Sequence, residues 1–235
     1  MIFCIACGRS DTVSGATATE TPNGQAGDKR VLMENIANDP DPQKRSNVSL
    51  SAKLDRTENE IAVEYTVKND SRGDIYVLDG QPAVKPGTKE SFGATDVFYL
   101  CKGGNDAAIV LRGILPLPAH PVTRRVIPLG TKVGPNEQVT HKFSIPLPLR
   151  ERNDRYVPPL EIDKYVKETV SSLVLRVQFI RGSVEEFKAE PADYAPGFFR
   201  VNSKKLVQDT ETLSSEWQIG STELLTRPDL FIRLK

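Results

Sequence analysis

Histidine and cysteine are both scarce in this chain, with two and three residues among 235. A hydrolase that activates a serine or cysteine nucleophile needs a base beside it, usually histidine. His120 lies in the rigid run Leu117-Pro-Ala-His-Pro121 and His141 in a strand-like run, and neither stands in a motif with a neighbouring nucleophile. No residue is therefore assigned a catalytic role. Cys4 and Cys7 crowd the first residues and leave Cys101 alone in the body, where a lone thiol reads as a small buried hydrophobe. The pair in Cys4-Ile-Ala-Cys7 is spaced like half of a zinc knuckle, but a structural site takes four ligands. Cys101, His120 and His141 supply no second close pair, so neither a metal nor another cofactor is expected. Apolar runs of the ~20 residues that cross a bilayer as a helix are missing. Charge excess is missing too: 31 basic and 31 acidic side chains leave no footprint for nucleic acid. Lys102-Gly-Gly-Asn105 reads as a hairpin turn, because the second glycine and lysine of a phosphate loop do not follow.

What the chain does have is a two-residue period. Val48, Leu50, Ala52 and Leu54 alternate with polar residues, and Ile61, Val63, Tyr65 and Val67 do so again, as in two half-buried antiparallel strands. Asn69-Asp-Ser-Arg-Gly73 is turn chemistry, and Ile75–Leu78 restarts an extended segment. Further strands are expected at Val97–Cys101, Ala107–Ile114, Val122–Leu129, Glu137–Ile145, Leu173–Arg181 and Phe198–Val207. In Glu137–Leu147 the residues Val139, Phe143, Ile145 and Leu147 face inward together with His141, after a turn at Gly134-Pro-Asn-Glu137. One helical candidate stands out, Glu161–Val170, with Ile162, Tyr165, Val166 and Thr169 on one face. Short strands between turn signals predict an all-β fold: an immunoglobulin-like antiparallel β-sandwich over 46–235, with 183–235 as additional C-terminal strands.

Ahead of it, Gly8 to Lys29 is dominated by Ser, Thr, Gly, Ala, Asp and Asn, too little apolar surface to offset chain entropy. Residues 8–45 are expected as a disordered tether, with Val31, Leu32, Met33 and Ile36 as a helical turn that docks on the domain. The chain starts Met1-Ile-Phe-Cys-Ile-Ala-Cys7, followed by Gly8. This stub resembles the lipobox of bacterial lipoproteins: Ile5, Ala6 and Cys7 match its last positions, while Cys4 stands where leucine is usual. The resemblance implies that 1–7 is the remnant of a signal, that Cys7 carries acyl chains such as palmitate, and that Gly8 directs the protein to the outer membrane. The stub lacks a basic segment and is shorter than a secretory apolar region, so a precursor with an upstream start is expected.

The most distinctive run is proline-rich. Ile114-Leu-Pro-Leu-Pro118 and Ile145-Pro-Leu-Pro-Leu149 share a pattern, and Val157-Pro-Pro159 follows. Prolines here end strands and blunt sheet edges. They also leave Leu115, Leu117, Leu147, Leu149, Arg152, Tyr156 and Leu160 for a protein-binding loop surface at one end of the sandwich, beside Arg150 and Arg155. Arg72-Gly73-Asp74 matches a short adhesive tripeptide, and Asn47-Val-Ser49 and Asn69-Asp-Ser71 are sequons that matter only in a eukaryote. The resulting expectation is a non-catalytic envelope lipoprotein with an envelope protein as partner and the membrane reached through its lipid alone. The rivals are a periplasmic immunity or inhibitor protein and a carboxylate-dependent hydrolase on the same scaffold.

If Cys7 is the lipidated residue, Cys7→Ser should leave the membrane fraction and lose the acyl mass that the parent chain shows. A Cys7→Ser protein that stays with the membranes would remove the anchor.

Overall fold

Alternating burial builds the first sheet directly. β1 (Val31–Met33), β2 (Val48–Arg56), β3 (Glu60–Asn69) and β9 (Gln138–Pro146) lie side by side in that order, all antiparallel. The computed structural model describes residues 31–33, 47–84, 87, 89, 91–117, 122, 125–153, 156 and 160–228. Ile61, Val63, Tyr65 and Val67 of β3 face inward, as do Phe143 and Ile145 of β9, whereas Ser49, Ser51, Lys53, Thr140 and Lys142 face out. Cys7 and nearly all of the expected tether lie outside the described residues. Val31–Met33, expected as a helical turn, instead pair with Leu54–Arg56, because an open strand edge offers backbone partners that an isolated turn lacks.

The second sheet runs β10-β14-β11-β4-β8-β13-β12. Its spine is the ladder between β11 (Val166–Arg181) and β14 (Thr210–Thr226), which pairs Val166 with Thr226 at one end and Ile180 with Thr210 at the other. The far edge of β11 is divided: β7 (Ala107–Arg112) runs parallel to Ser172–Val177, and β4 (Ile75–Val84) takes Phe179–Arg181 antiparallel. β6 (Tyr99–Lys102) extends β7 through a hairpin at the expected Lys102–Asn105 turn, and β5 (Ser91–Ala94) extends β4. β8 (Leu129–Val133), β12 (Lys188–Pro191) and β13 (Phe198–Asn202) complete the other side, while β10 (Leu149–Arg150) lies parallel to β14. The two parallel pairings depart from the all-antiparallel expectation.

The sheets close face to face as an all-β sandwich. Ile61, Tyr65, Phe143, Leu175, Val177, Phe179, Trp217 and Leu149 share the core between them. A second apolar cluster, with Tyr76, Leu78, Ile180, Val201 and Leu206, lies beneath β12, β13 and the short helix α1 (Leu206–Asp209). Cys101 is buried, as expected, and forms no disulfide; it packs among Tyr99, Ile109, Leu111 and Leu115.

Three local expectations fail for physical reasons. Glu161–Val170 is not a helix: one 3-10 turn at Ile162–Lys164 leads straight into β11, because β14 reaches far enough to pair Val166 through Val170. Arg125–Pro128 are not strand; Pro128 has no N–H for a ladder, and Val126 N–H donates instead to the Tyr156 hydroxyl at 2.8 Å. Phe198–Val207 splits into β13 and α1. The segment after 183 is also more than an appendage, since β14 carries Trp217, Ile219, Leu224 and Leu225 into buried positions.

Asn69 shows how the turns lock. Its buried amide donates to the carbonyls of Gly73 (2.9 Å), Val133 (2.9 Å) and Gly134 (3.1 Å), and its Oδ1 accepts from Ser71 N–H at 3.0 Å. The side chain thus ties the turn after β3 to the turn before β9, and its burial removes Asn69 as a glycan acceptor. Asn69→Ala leaves buried carbonyls without donors and should cost about 2–3 kcal/mol in denaturant unfolding with an unchanged slope. A loss below about 0.5 kcal/mol would mean that water replaces the amide.

Candidate functional site

Two places in the sandwich concentrate polar chemistry, and they differ in access. The first is internal. Asp79 interrupts the apolar run Ile75-Tyr-Val-Leu of β4, and Arg112 ends the fully buried β7. Thr131 Oγ1 donates to Asp79 Oδ1 at 2.8 Å, and the Tyr65 hydroxyl reaches Oδ2 at 3.4 Å. His141 Nε2 lies 2.7 Å from the same Oδ2, a close contact without the alignment of a hydrogen bond. Arg112 donates to the carbonyls of Asp79 (2.7 Å) and Val97 (2.8 Å) and sits over the Phe143 ring at 5.3 Å. One carboxylate and one guanidinium are thus buried within a single cluster that joins both sheets. Neither Asp79 nor Arg112 lines any of the described clefts. This arrangement joins the two sheets.

The second place is open. A groove of about 400 Å³ is lined by Phe98, Ile145, Pro146, Leu147, Pro148, Arg150, Arg152 and Tyr165. Period two puts Leu149 and Glu151 inward and leaves Arg150 and Arg152 on the other side of the same segment. Leu149 and Arg150 pair with Leu224 and Leu225 of β14. Glu151 N–H donates to Leu225 O at 2.9 Å, and Arg152 exchanges backbone hydrogen bonds with Leu100 at 2.9 and 3.1 Å. The buried Glu151 carboxylate accepts from Lys102 N–H (2.7 Å) and Arg227 N–H (2.6 Å), clamping the segment between β6 and the end of β14. On this support Arg152 lies over the Phe98 ring at 4.5 Å and Arg150 over the Tyr165 ring at 5.4 Å. Stacking of this kind restrains the guanidinium plane.

Two further clefts each contain an ion pair. The cleft beside Arg125 and Tyr194, about 510 Å³, contains Arg200, which faces Glu190 at 3.4 Å. The depression on the outer face of the first sheet, about 540 Å³, contains the Lys142–Glu64 ion pair at 2.5 Å, and the hydrogen bond from Lys142, together with its charge, holds the Glu64 carboxyl below its ordinary range.

The expected binding loops are divided by the fold. Leu147 and Arg152 do line the groove. Leu149 is fully buried in the main core, and Leu115 is 2% exposed beside Tyr99 and Cys101, so neither side chain is at the surface. The reason is alternation: at Leu149 the apolar side of the segment meets the core, and at Leu115 the chain turns under β6 and β7. Tyr156 packs beside Leu115 and accepts a hydrogen bond, and Leu117 is half-buried away from the groove lining. His120 and Arg155 lie outside the described residues, as does Cys7. Phe98 and Tyr165 were not foreseen, because they arrive from segments remote in sequence. Ile162 (58% exposed) and Val166 (51%) flank Tyr165 and put apolar surface next to the groove.

No family model, curated protein or solved structure matches the chain.

Burial holds the Tyr65 phenol above its ordinary value of 10.0; Arg112 pulls it partly back and Asp79 adds to the rise. Burial raises the Tyr99 phenol as well, with Cys101 and Glu151 adding to it. The unfolded chain loses these protons near pH 10 while the folded chain keeps them, so stability should fall as pH rises above about 10. Tyr65→Phe should make that alkaline decline shallower in denaturant midpoints measured from about pH 9 to about pH 11. An identical decline in the two proteins would remove the buried phenol as its cause.

Proposed function

We propose that this chain is a non-catalytic lipoprotein of the bacterial envelope, anchored at the outer membrane through Cys7, and that its sandwich is a module that binds another envelope protein. The observation that carries the binding half is the groove: stacked arginines on an immobilised segment, aromatic and aliphatic walls, and exposed Ile162 and Val166 alongside. Aromatic, arginine and aliphatic side chains in one desolvated patch are the composition of protein interfaces. The anchoring half rests on the Ile5-Ala6-Cys7 stub and the polar stretch that follows. A binding role is also favoured over hydrolysis by where the buried ionic groups sit, because Asp79 is engaged by Thr131 and Tyr65, and Arg112 by backbone carbonyls.

Site-specific photocrosslinking in cells tests this. A photoreactive residue at Ile162 should give a discrete envelope-protein adduct, whereas one at Val207, equally exposed (54%) but on α1, should not. Equal adducts at both positions, or none at Ile162, would reject the groove as an interface, and substrate turnover by the purified chain would favour the hydrolase.

A further inference from the structure

The described chain ends beside the groove. Thr226, the last residue of β14, stands opposite Val166 in the ladder, and its hydroxyl donates to Val166 O at 3.2 Å. On the other side, Arg227 N–H donates to the buried Glu151 carboxylate at 2.6 Å, and Leu225 pairs with Arg150. Arg150 and Tyr165, the residue before Val166, both line the groove. Pro228, which is exposed, is the last described residue, and Asp229-Leu-Phe-Ile-Arg-Leu-Lys235 follows it in the sequence. We propose that the chain's own segment 230–234 covers this surface, with Leu230, Ile232 and Leu234 laid over Ile162 and Val166 and across the mouth of the groove, and that a partner binds there by displacing it.

Four features select this occupant. Among the described residues the exposed large hydrophobics are Ile162, Val166 and Val207, and the first two lie next to the point where the description ends. The segment has period two: Leu230, Ile232 and Leu234 form one set, and Asp229, Phe231, Arg233 and Lys235 the other. On extended chain the first set shares its face with Thr226, and Val166, directly opposite Thr226, lies on that same face. The register of the ladder, carried four residues past Val166 and Thr226, sets Leu230 level with Ile162. Ile162 belongs to the 3-10 turn, so side chains meet at that level without a continued ladder. Leu230 stands two residues beyond Pro228, so the segment needs no linker to arrive and is present at high effective concentration. The contact is apolar on both sides and asks nothing of the groove's arginines.

The displacement rests on the groove being where a partner binds, and two measurements separate the readings. A photoreactive residue at Ile162 in the purified, partner-free full chain should crosslink within the monomer to residues 230–232, read by mass spectrometry, and one at the exposed Val207 should not. In cells, the Leu230→Ser/Ile232→Ser/Leu234→Ser variant should raise the yield of partner adduct from Ile162 about threefold or more, because a competing segment lowers the fraction of open sites. Fluorescence of the buried Trp217 checks that the variant is folded. A partner adduct that the serines leave unchanged, without an internal crosslink, would overturn the segment and keep the groove. The same unchanged adduct with an internal crosslink would overturn displacement. An internal crosslink with no partner adduct from either protein would keep the segment as a cover and overturn the groove as a partner site. Crosslinks from Ile162 to residues 154–159, or an adduct of dimer mass, would give the surface to another segment or to a second copy and overturn the proposal.

Discussion

The ladder between β11 and β14 is the constraint on which the rest of this structure hangs. Sixteen and seventeen residues long, the two strands pair along nearly their whole length and interrupt only where Gly220, at φ 67°, permits an irregularity between Val170 and Ser172. The strands that adjoin them in the second sheet are placed by them. β7 and β4 share the free side of β11, and β10 takes the free side of β14. Backbone groups along such a ladder have no alternative partners once buried, so the register is fixed by hydrogen bonding and by alternation together. The groove inherits its geometry from this, because Arg150 and Arg152 belong to the segment suspended from β14.

The sheets meet over an apolar core that contains a polar inclusion. Tyr65 and His141 come from the first sheet, and Asp79, Arg112 and Thr131 from the second. Burying a carboxylate and a guanidinium costs desolvation energy that apolar packing avoids, and such clusters are weak arguments for stability in themselves. What they add is direction. Apolar side chains tolerate a shift of one sheet over the other, whereas the Thr131 and Tyr65 contacts to opposite oxygens of Asp79 do not. Arg112 in turn holds the carbonyls of Asp79 and Val97, joining β4 to the approach to β6.

At the groove the same side-chain types do different work. Arg112 is enclosed and answers backbone carbonyls, while Arg150 and Arg152 lie over rings in the lining of a cleft. The difference follows from what surrounds them. The buried Glu151 takes up the amides of Lys102 and Arg227, which holds the backbone between the two arginines in place. A segment held on both sides beside apolar and aromatic walls is suited to recognition, since little entropy is lost when a ligand arrives.

Period-two alternation, with turn residues at Asn69–Gly73 and Gly134–Glu137, was enough to establish from sequence the β character of the body, the inward face of β3 and β9, and the buried state of Cys101, because pleated strands and apolar burial are local properties. The proline-rich end was also legible as a distinct region, though not which of its leucines would be exposed: Leu149 and Leu115 went to the core and Leu147 to the groove, a choice made by the direction of the chain against its neighbours. Glu161–Val170 reads as a helix in isolation and became strand because β14 was there to pair with it. The aromatic supports of the groove, Phe98 and Tyr165, and the joining of Asp79 to His141 depend on contacts between residues far apart in sequence. Only the closing of one sheet on the other decided them, because the energy that selects such contacts does not exist until the core is formed.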